Sequence, residues 1–291
     1  MQLLTATGIS ARNVVLALAL SACNQGRSVI SPSPELPHAI QKRPSEIESW
    51  MPQIATGIYH YAIRDSSTIS INSDTATQTV PITSTIIYSL SIDTMGDSAV
   101  LVGKVDSAMT NSPLARKNSS ATTAQIKEVH GIFSARGQLR LPMKDSLLIC
   151  SSSSNPVDSR IYELILPVRQ EGLKIGDSWT DTISITNCHG KTPVDQRVIR
   201  NFTVNQFTTW NNRPAVEITR NSSITFTGTV TDLNSHLSTH GTGTGTATMF
   251  FDQKTAGLLE SNSQTESTVI VITSRGEFPF IQHTISQIVS K

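Results

Sequence analysis

The chain of 291 residues has little charge, few aromatic rings and almost no cysteine. Charged residues make up only 15%, against about 25% in ordinary globular chains. Net charge is +1 with no basic block, so there is neither a footprint for a nucleic acid nor a field that would steer acidic substrates. An aromatic share of 5% argues against a stacking platform or a ring-lined carbohydrate cleft. Crossing a membrane as a helix takes roughly 20 apolar residues, and the run Val14 to Leu20 has seven. No serine sits in a nucleophile elbow, and the 7 histidines are scattered without a partnered acid, so no hydrolase signature is present. His236 and His240 have the spacing of a zinc helix, but the glutamate that would act as base is missing and a Gly-Thr run follows. Neither a metal nor another cofactor is expected. Gly241, Gly243 and Gly245 lack the spacing of a dinucleotide fingerprint. Alternate glycines instead leave one face of a strand bare for a close neighbour. The chain is read as non-catalytic.

Serine and threonine take the place of charge, and apolar residues recur with period two. Val80, Ile82, Ile86, Tyr88, Leu90 and Ile92 share one parity, which is what a strand with one buried face requires. Tyr59, Tyr61, Ile63, Ile69 and Ile71 do the same, as do Ile224, Phe226 and Val230, and then Ile281, Ile285 and Val289. The longest helical stretch runs from Val157 to Leu166, entered through Asn155 and Pro156 and halted by Pro167. The expected fold is all-β: two curved antiparallel sheets or half-barrels, with at most one or two short helices.

Arg12, the run Val14 to Leu20 and the small residues after it have the layout of a signal peptide rather than a membrane span. Leu20-Ser21-Ala22-Cys23 resembles the bacterial lipobox. That resemblance implies acylation of Cys23, a signal peptide over residues 1–22 and a membrane partner reached through the N-terminal lipid. Asn24 follows in place of the aspartate that some bacteria use for inner-membrane retention, so the resemblance favours the outer membrane, facing the periplasm or the cell surface. One of the 3 cysteines on the lipid leaves Cys150 and Cys188, candidates for a disulfide in an oxidising compartment; two free thiols are the alternative. Residues 23–52 carry Pro32, Pro34, Pro37, Pro44 and Pro52 among serines and read as an extended tether, with Ile47, Trp50 and Met51 either one docked helical turn or part of a flexible tail.

Two halves of the body repeat an order of features. Gly57 opens an aromatic strand, Ala99 a return strand, and a turn at Gly137 leads to Leu139; Gly176 precedes Trp179, Ala215 opens a return strand, and Gly257 leads to Leu258. Similar order and spacing are what an internal duplication leaves. The organisation expected is a first β unit over 53–145, a crossover with a short helix over 146–175 and a second β unit over 176–291. Leu166-Pro167, Gly176-Asp177-Ser178-Trp179, Phe251-Asp252 and Gly257-Leu258-Leu259 resemble uncharacterised β-rich envelope lipoproteins, similar in outline to half-barrel lipoprotein carriers. The resemblance implies a concave sheet able to hold an apolar small molecule or lipid. Tyr59, Tyr61, Tyr88 and Trp179 are its candidate ligand or core aromatics, and Asp177 and Asp181 read as turn capping beside Trp179. The alternative is an interaction or scaffold protein of the envelope with a closed core; no protein partner is named by the residues.

Overall fold

The computed structural model describes residues 49–72, 77–96, 98–111, 128–134, 138–141, 157–167, 172–189, 192–232, 235–274 and 276–291. Cys23, the proline-rich stretch before residue 49 and Cys150 lie outside them, and with Cys150 the question of its pairing with Cys188.

Long Thr-, Ile- and Val-rich alternations become long strands, as branched side chains on a pleated surface favour. In chain order these are β1 (Gly57–Asn72), β2 (Thr77–Met95), β3 (Ser98–Asn111), β4 (Glu128–Phe133) and β5 (Leu139–Arg140). After the single described helix α1 (Val157–Leu164) come β6 (Ser178–His189), β7 (Thr192–Trp210), β8 (Arg213–Asp232), β9 (Ser235–Asp252), β10 (Leu258–Thr273) and β11 (Gly276–Ser290). The all-β reading holds. All pairings are antiparallel, in the order β5-β4-β3-β2-β1-β11-β10-β9-β8-β7-β6. The chain meanders outward to β5, crosses through α1 to the opposite edge and meanders back until β11 meets β1. That last pairing, from Tyr61↔Ser290 to Ile71↔Phe280, joins both groups of strands into one curled half-barrel. Register shifts at Ile87/Tyr88, Val204/Gln206 and Leu258/Glu260 supply bends that let a long sheet curl.

Local chemistry sets the turns. Asn211 and Asn212 both take positive φ, 47° and 63°, the conformation a two-residue hairpin needs between right-twisted strands. α1 spans the first eight residues of the expected helical stretch and is followed by Leu166 and Pro167. Its apolar residues Ile161 and Leu164, with Ile165 just after it, recur at helical spacing and are buried, each worth about 1.5–3 kcal/mol of burial.

The largest core cluster forms where α1 packs on the sheet, and includes Tyr61, Tyr88, Phe202 and Phe251. A second, of Ile69, Val80, Ile82, Val269, Val271 and Phe280, lies further along the same face. Trp50 does not form a helical turn: it makes an isolated bridge to Leu173, with N–O distances of 2.7 and 2.6 Å, and is buried. The parity expected for β11 is reversed. Phe280, Ser286 and Ile288 point inward, while Ile285 is 65% exposed. Pairing on both sides decides this, because Ser286 stands between Asp65 and Ser263, where the inner face is polar.

Candidate functional site

One line of cross-strand partners runs around the inside of the sheet. It passes from Trp179 to Phe202, Arg220, Ala247, Ser263, Ser286, Asp65, Ser84 and Thr110, one residue per strand from β6 through β11 and β1 to β3. That line mixes apolar and polar side chains, and the next inward line is mostly polar: Asp181, Arg200, Ser222, Gly245, Thr265, Thr284 and Ser67. On β10, β11, β1 and β2 these residues form a polar belt between the two apolar clusters, whereas on β6, β7 and β8 the largest cluster continues past it to Ile183, Val198 and Ile224.

α1 is fastened to this belt by charge. Arg160 pairs with Asp65, Glu163 with Arg220, and Arg200 with Asp181. Arg200 Nη1 also donates to the Tyr162 carbonyl at 2.6 Å, satisfying one of the carbonyls a helix C-terminus leaves open. Arg200 and Arg220 are buried, where an ion without its partner costs several kcal/mol. Burial pushes the Glu163 carboxyl up, but Arg220, Arg200 and Arg160 together outweigh it and hold it below the ordinary carboxylate range. Three guanidinium groups thus act on one carboxylate.

Hydrogen bonding in the belt is incomplete in a particular way. Asp65 Oδ2 accepts from Ser84 Oγ at 3.1 Å and from Arg160. Asp65 Oδ1, Ser286 Oγ, Arg220 Nε and Trp179 Nε1 are buried with no partner among the described residues. All four belong to the first line of residues. Burying such groups without partners costs about 1–3 kcal/mol each.

The aromatic residues expected to line a ligand site or core all join the largest cluster. Tyr61 and Tyr88 are fully buried, and burial raises the Tyr61 phenol well above its usual range. Tyr88 lies over Gly103, where an added Cβ would fall 1.8 Å from its hydroxyl. Tyr59 is half-buried; it donates to the Ala55 carbonyl at 2.9 Å and covers Gly257. Trp179 stacks on Phe202 with centroids 5.3 Å apart and planes 11° apart, and the Arg200 guanidinium sits 5.5 Å from the same Phe202 ring. Asp177 caps a turn through the Lys174 N–H at 2.8 Å, whereas Asp181 pairs with Arg200. His240 is exposed, and no group of three metal-ligating side chains occurs among the described residues. Gly241 allows close approach of β10: a Cβ there would lie 2.4 Å from the Thr268 carbonyl oxygen.

Asp65, Arg160, Glu163, Arg200 and Arg220 were not readable as a site from spacing. For Asp65, Arg200 and Arg220 the one signal is a charge placed on the apolar parity of a strand, as in Val198-Arg200-Phe202 and Ile218-Arg220; Arg160 and Glu163, on α1, carry no such signal.

Among the described residues the sheet does not close. Its two edges, β5 and β6, line opposite sides of a cleft of about 260 Å³ that also contains Tyr162, Ile165 and Arg200. A second cleft, about 420 Å³, lies where Met51, Ile54, Phe133, Leu166 and Ala256 meet the β2–β3 turn.

No family model matches the chain, and no curated protein matches it. Among solved structures, Pseudomonas aeruginosa OccK2 (OpdF) is 7% identical over 80% of this chain and 98% of its own, with a TM-score of 0.27. OccK1 (OpdK) of the same organism is 8% identical over 80% and 99%, with a TM-score of 0.25. DynF, from the dynemicin biosynthesis pathway of Micromonospora chersina, is 9% identical over 91% and 92%, with a TM-score of 0.23. At these values the likenesses carry no functional argument.

Proposed function

We propose that the chain is a lipid-anchored protein of the bacterial envelope, held through Cys23 and a proline-rich tether, whose half-barrel binds an apolar molecule or lipid without catalysing a reaction. The lipobox-like Leu20-Ser21-Ala22-Cys23 supports the anchor and an outer-membrane destination. The open seam carries the binding reading: among the described residues β5 and β6 do not pair but share a cleft with α1 that reaches the core side chain Ile183 and the buried Arg200. The cleft sets the apolar side chains of Leu139, Ile165 and Ile183 beside polar ones such as Asp181 and Arg200, and placed polar groups of this kind orient ligands in concave sites. Native mass spectrometry of protein extracted from its own membrane tests this, with bound lipid expected. Persistently empty protein would sink the binding reading. In parallel, Cys23→Ala should abolish acyl labelling and release the chain from membranes, and a variant still labelled would remove the anchor.

A second reading, an interaction or scaffold protein, is favoured by the filled core beneath α1, where Ile161 and Leu164 are almost wholly buried. It predicts empty protein that still captures a partner from the envelope.

A further inference from the structure

α1 brings three chemical groups onto the concave face at once. Arg160 offers a cation to Asp65 and Glu163 an anion to Arg220, while Ile161, Leu164 and Ile165 fill the apolar space beside them. Asp65 and Arg220 lie on the same line of inward residues, on β1 and β8. Each keeps an unused buried atom of the matching kind: Asp65 Oδ1 can accept another hydrogen bond, and Arg220 Nε can donate one. Trp179 Nε1, two strands from Arg220 along the same line, is a second spare donor, and Ser286 Oγ stands beside Asp65. A spare acceptor on the anionic side and spare donors on the cationic side suit a head group that carries both a hydrogen-bonding cation and an anion.

We infer that α1 stands in for a zwitterionic amphiphile, and that the half-barrel takes a lipid whose primary ammonium group sits on Asp65 and whose phosphate sits on Arg220. This rests on the proposed lipid-binding reading and names the lipid class. Charge balance sets the class. If α1 leaves, Asp65 and Arg220 both lose their partners, so an anionic lipid satisfies only Arg220 and a neutral one neither. A quaternary ammonium has no N–H to give Asp65. Because α1 buries several large aliphatic side chains, the ligand must also supply an acyl chain, and the seam between β5 and β6 is where it meets both Arg200 and α1.

The test uses the full chain carrying Cys23→Ser, to keep it in aqueous solution, and four single-chain lipids below their micellar range. These are lysophosphatidylethanolamine, lysophosphatidylcholine, lysophosphatidylglycerol and monoolein. Calorimetric titration should show the first binding at least about ten-fold tighter than the others, roughly the value of one charge-assisted hydrogen bond. Amides of residues 157–164 should exchange faster with solvent in that complex. Arg220→Gln should remove the selectivity, with Arg64→Gln, on the exposed face of β1, leaving it intact. Equal binding of monoolein or lysophosphatidylglycerol would overturn the head-group site while sparing the lipid-binding reading. Binding with α1 still protected would overturn the stand-in role, and the absence of binding by all four would overturn both readings. The ligand panel on the unsubstituted core decides the matter even if Arg220→Gln fails to fold.

Discussion

The indole N–H of Trp50 donates to the backbone carbonyl of Gln253 at 2.9 Å, joining residues 203 apart in sequence. The segment before β1 is therefore stitched to the β9–β10 turn, and through Leu173 to the stretch preceding β6. Trp50→Ala should cost about 3–5 kcal/mol, as large-to-small changes of a buried ring do, and Trp50→Phe less, since the ring remains and one hydrogen bond goes. Urea unfolding monitored by circular dichroism checks both; equal losses would show that the hydrogen bond, not the ring, matters.

Arg220 and Glu163 form a pair that is costly to halve. Arg220→Met or Glu163→Leu alone should destabilise by about 3–5 kcal/mol, while the double replacement should recover much of the loss. A double-mutant cycle on thermal unfolding measures the coupling. Additive losses would mean that the two groups do not depend on one another.

Acid should loosen α1. The folded Glu163 is more acidic than an ordinary glutamate, so it contributes in full above the usual value of 4.5 and loses that contribution as pH falls through its lower folded value. Asp252 behaves alike: burial raises it, but the Lys254 and Thr255 N–H groups and Arg213 outweigh this and lower it from 3.8. Stability measured from about pH 6 to pH 3 should fall, and Glu163→Gln should flatten part of that fall. An unchanged slope would show that Glu163 is not linked to folding.

Gly241 should tolerate no side chain. With a Cβ 2.4 Å from the Thr268 oxygen and 2.9 Å from Val269 Cα, both backbone, Gly241→Ala must shift β9 or β10 at a cost of about 1–3 kcal/mol. Gly57→Ala is the control: the nearest atom is the Tyr59 ring at 3.8 Å, and its effect should stay within about 0.5 kcal/mol. Similar midpoints for the two variants would refute the close approach.

If the proposed export holds, Cys150 and Cys188 should appear as one linked peptide pair when the protein is digested without reductant. A freely alkylated Cys150 would rule the pairing out.

β2 was legible from its residues because nearly all its inward positions are apolar. β11 was not, because Ser286 and Thr284 occupy inward positions while Ile285 points out, so its most apolar parity is the wrong one. The same belt concealed the candidate site, since a lone arginine within a strand looks like a surface residue until its neighbours on both sides are known. Trp179 and the tyrosines were visible because large rings at strand spacing mark a core.

Alternation of Thr, Ile and Val, the two-residue Asn turn and the apolar spacing of α1 are properties of neighbouring residues, and these determined the strands, the hairpins and the helix. Local pattern also carried the lipobox resemblance. Only the tertiary structure decided that β11 closes against β1, that one curled sheet results, and that Asp65 and Arg220 share an interior row with α1 between them. Those relationships join residues far apart in sequence, and no period along the chain records which strand will stand beside which.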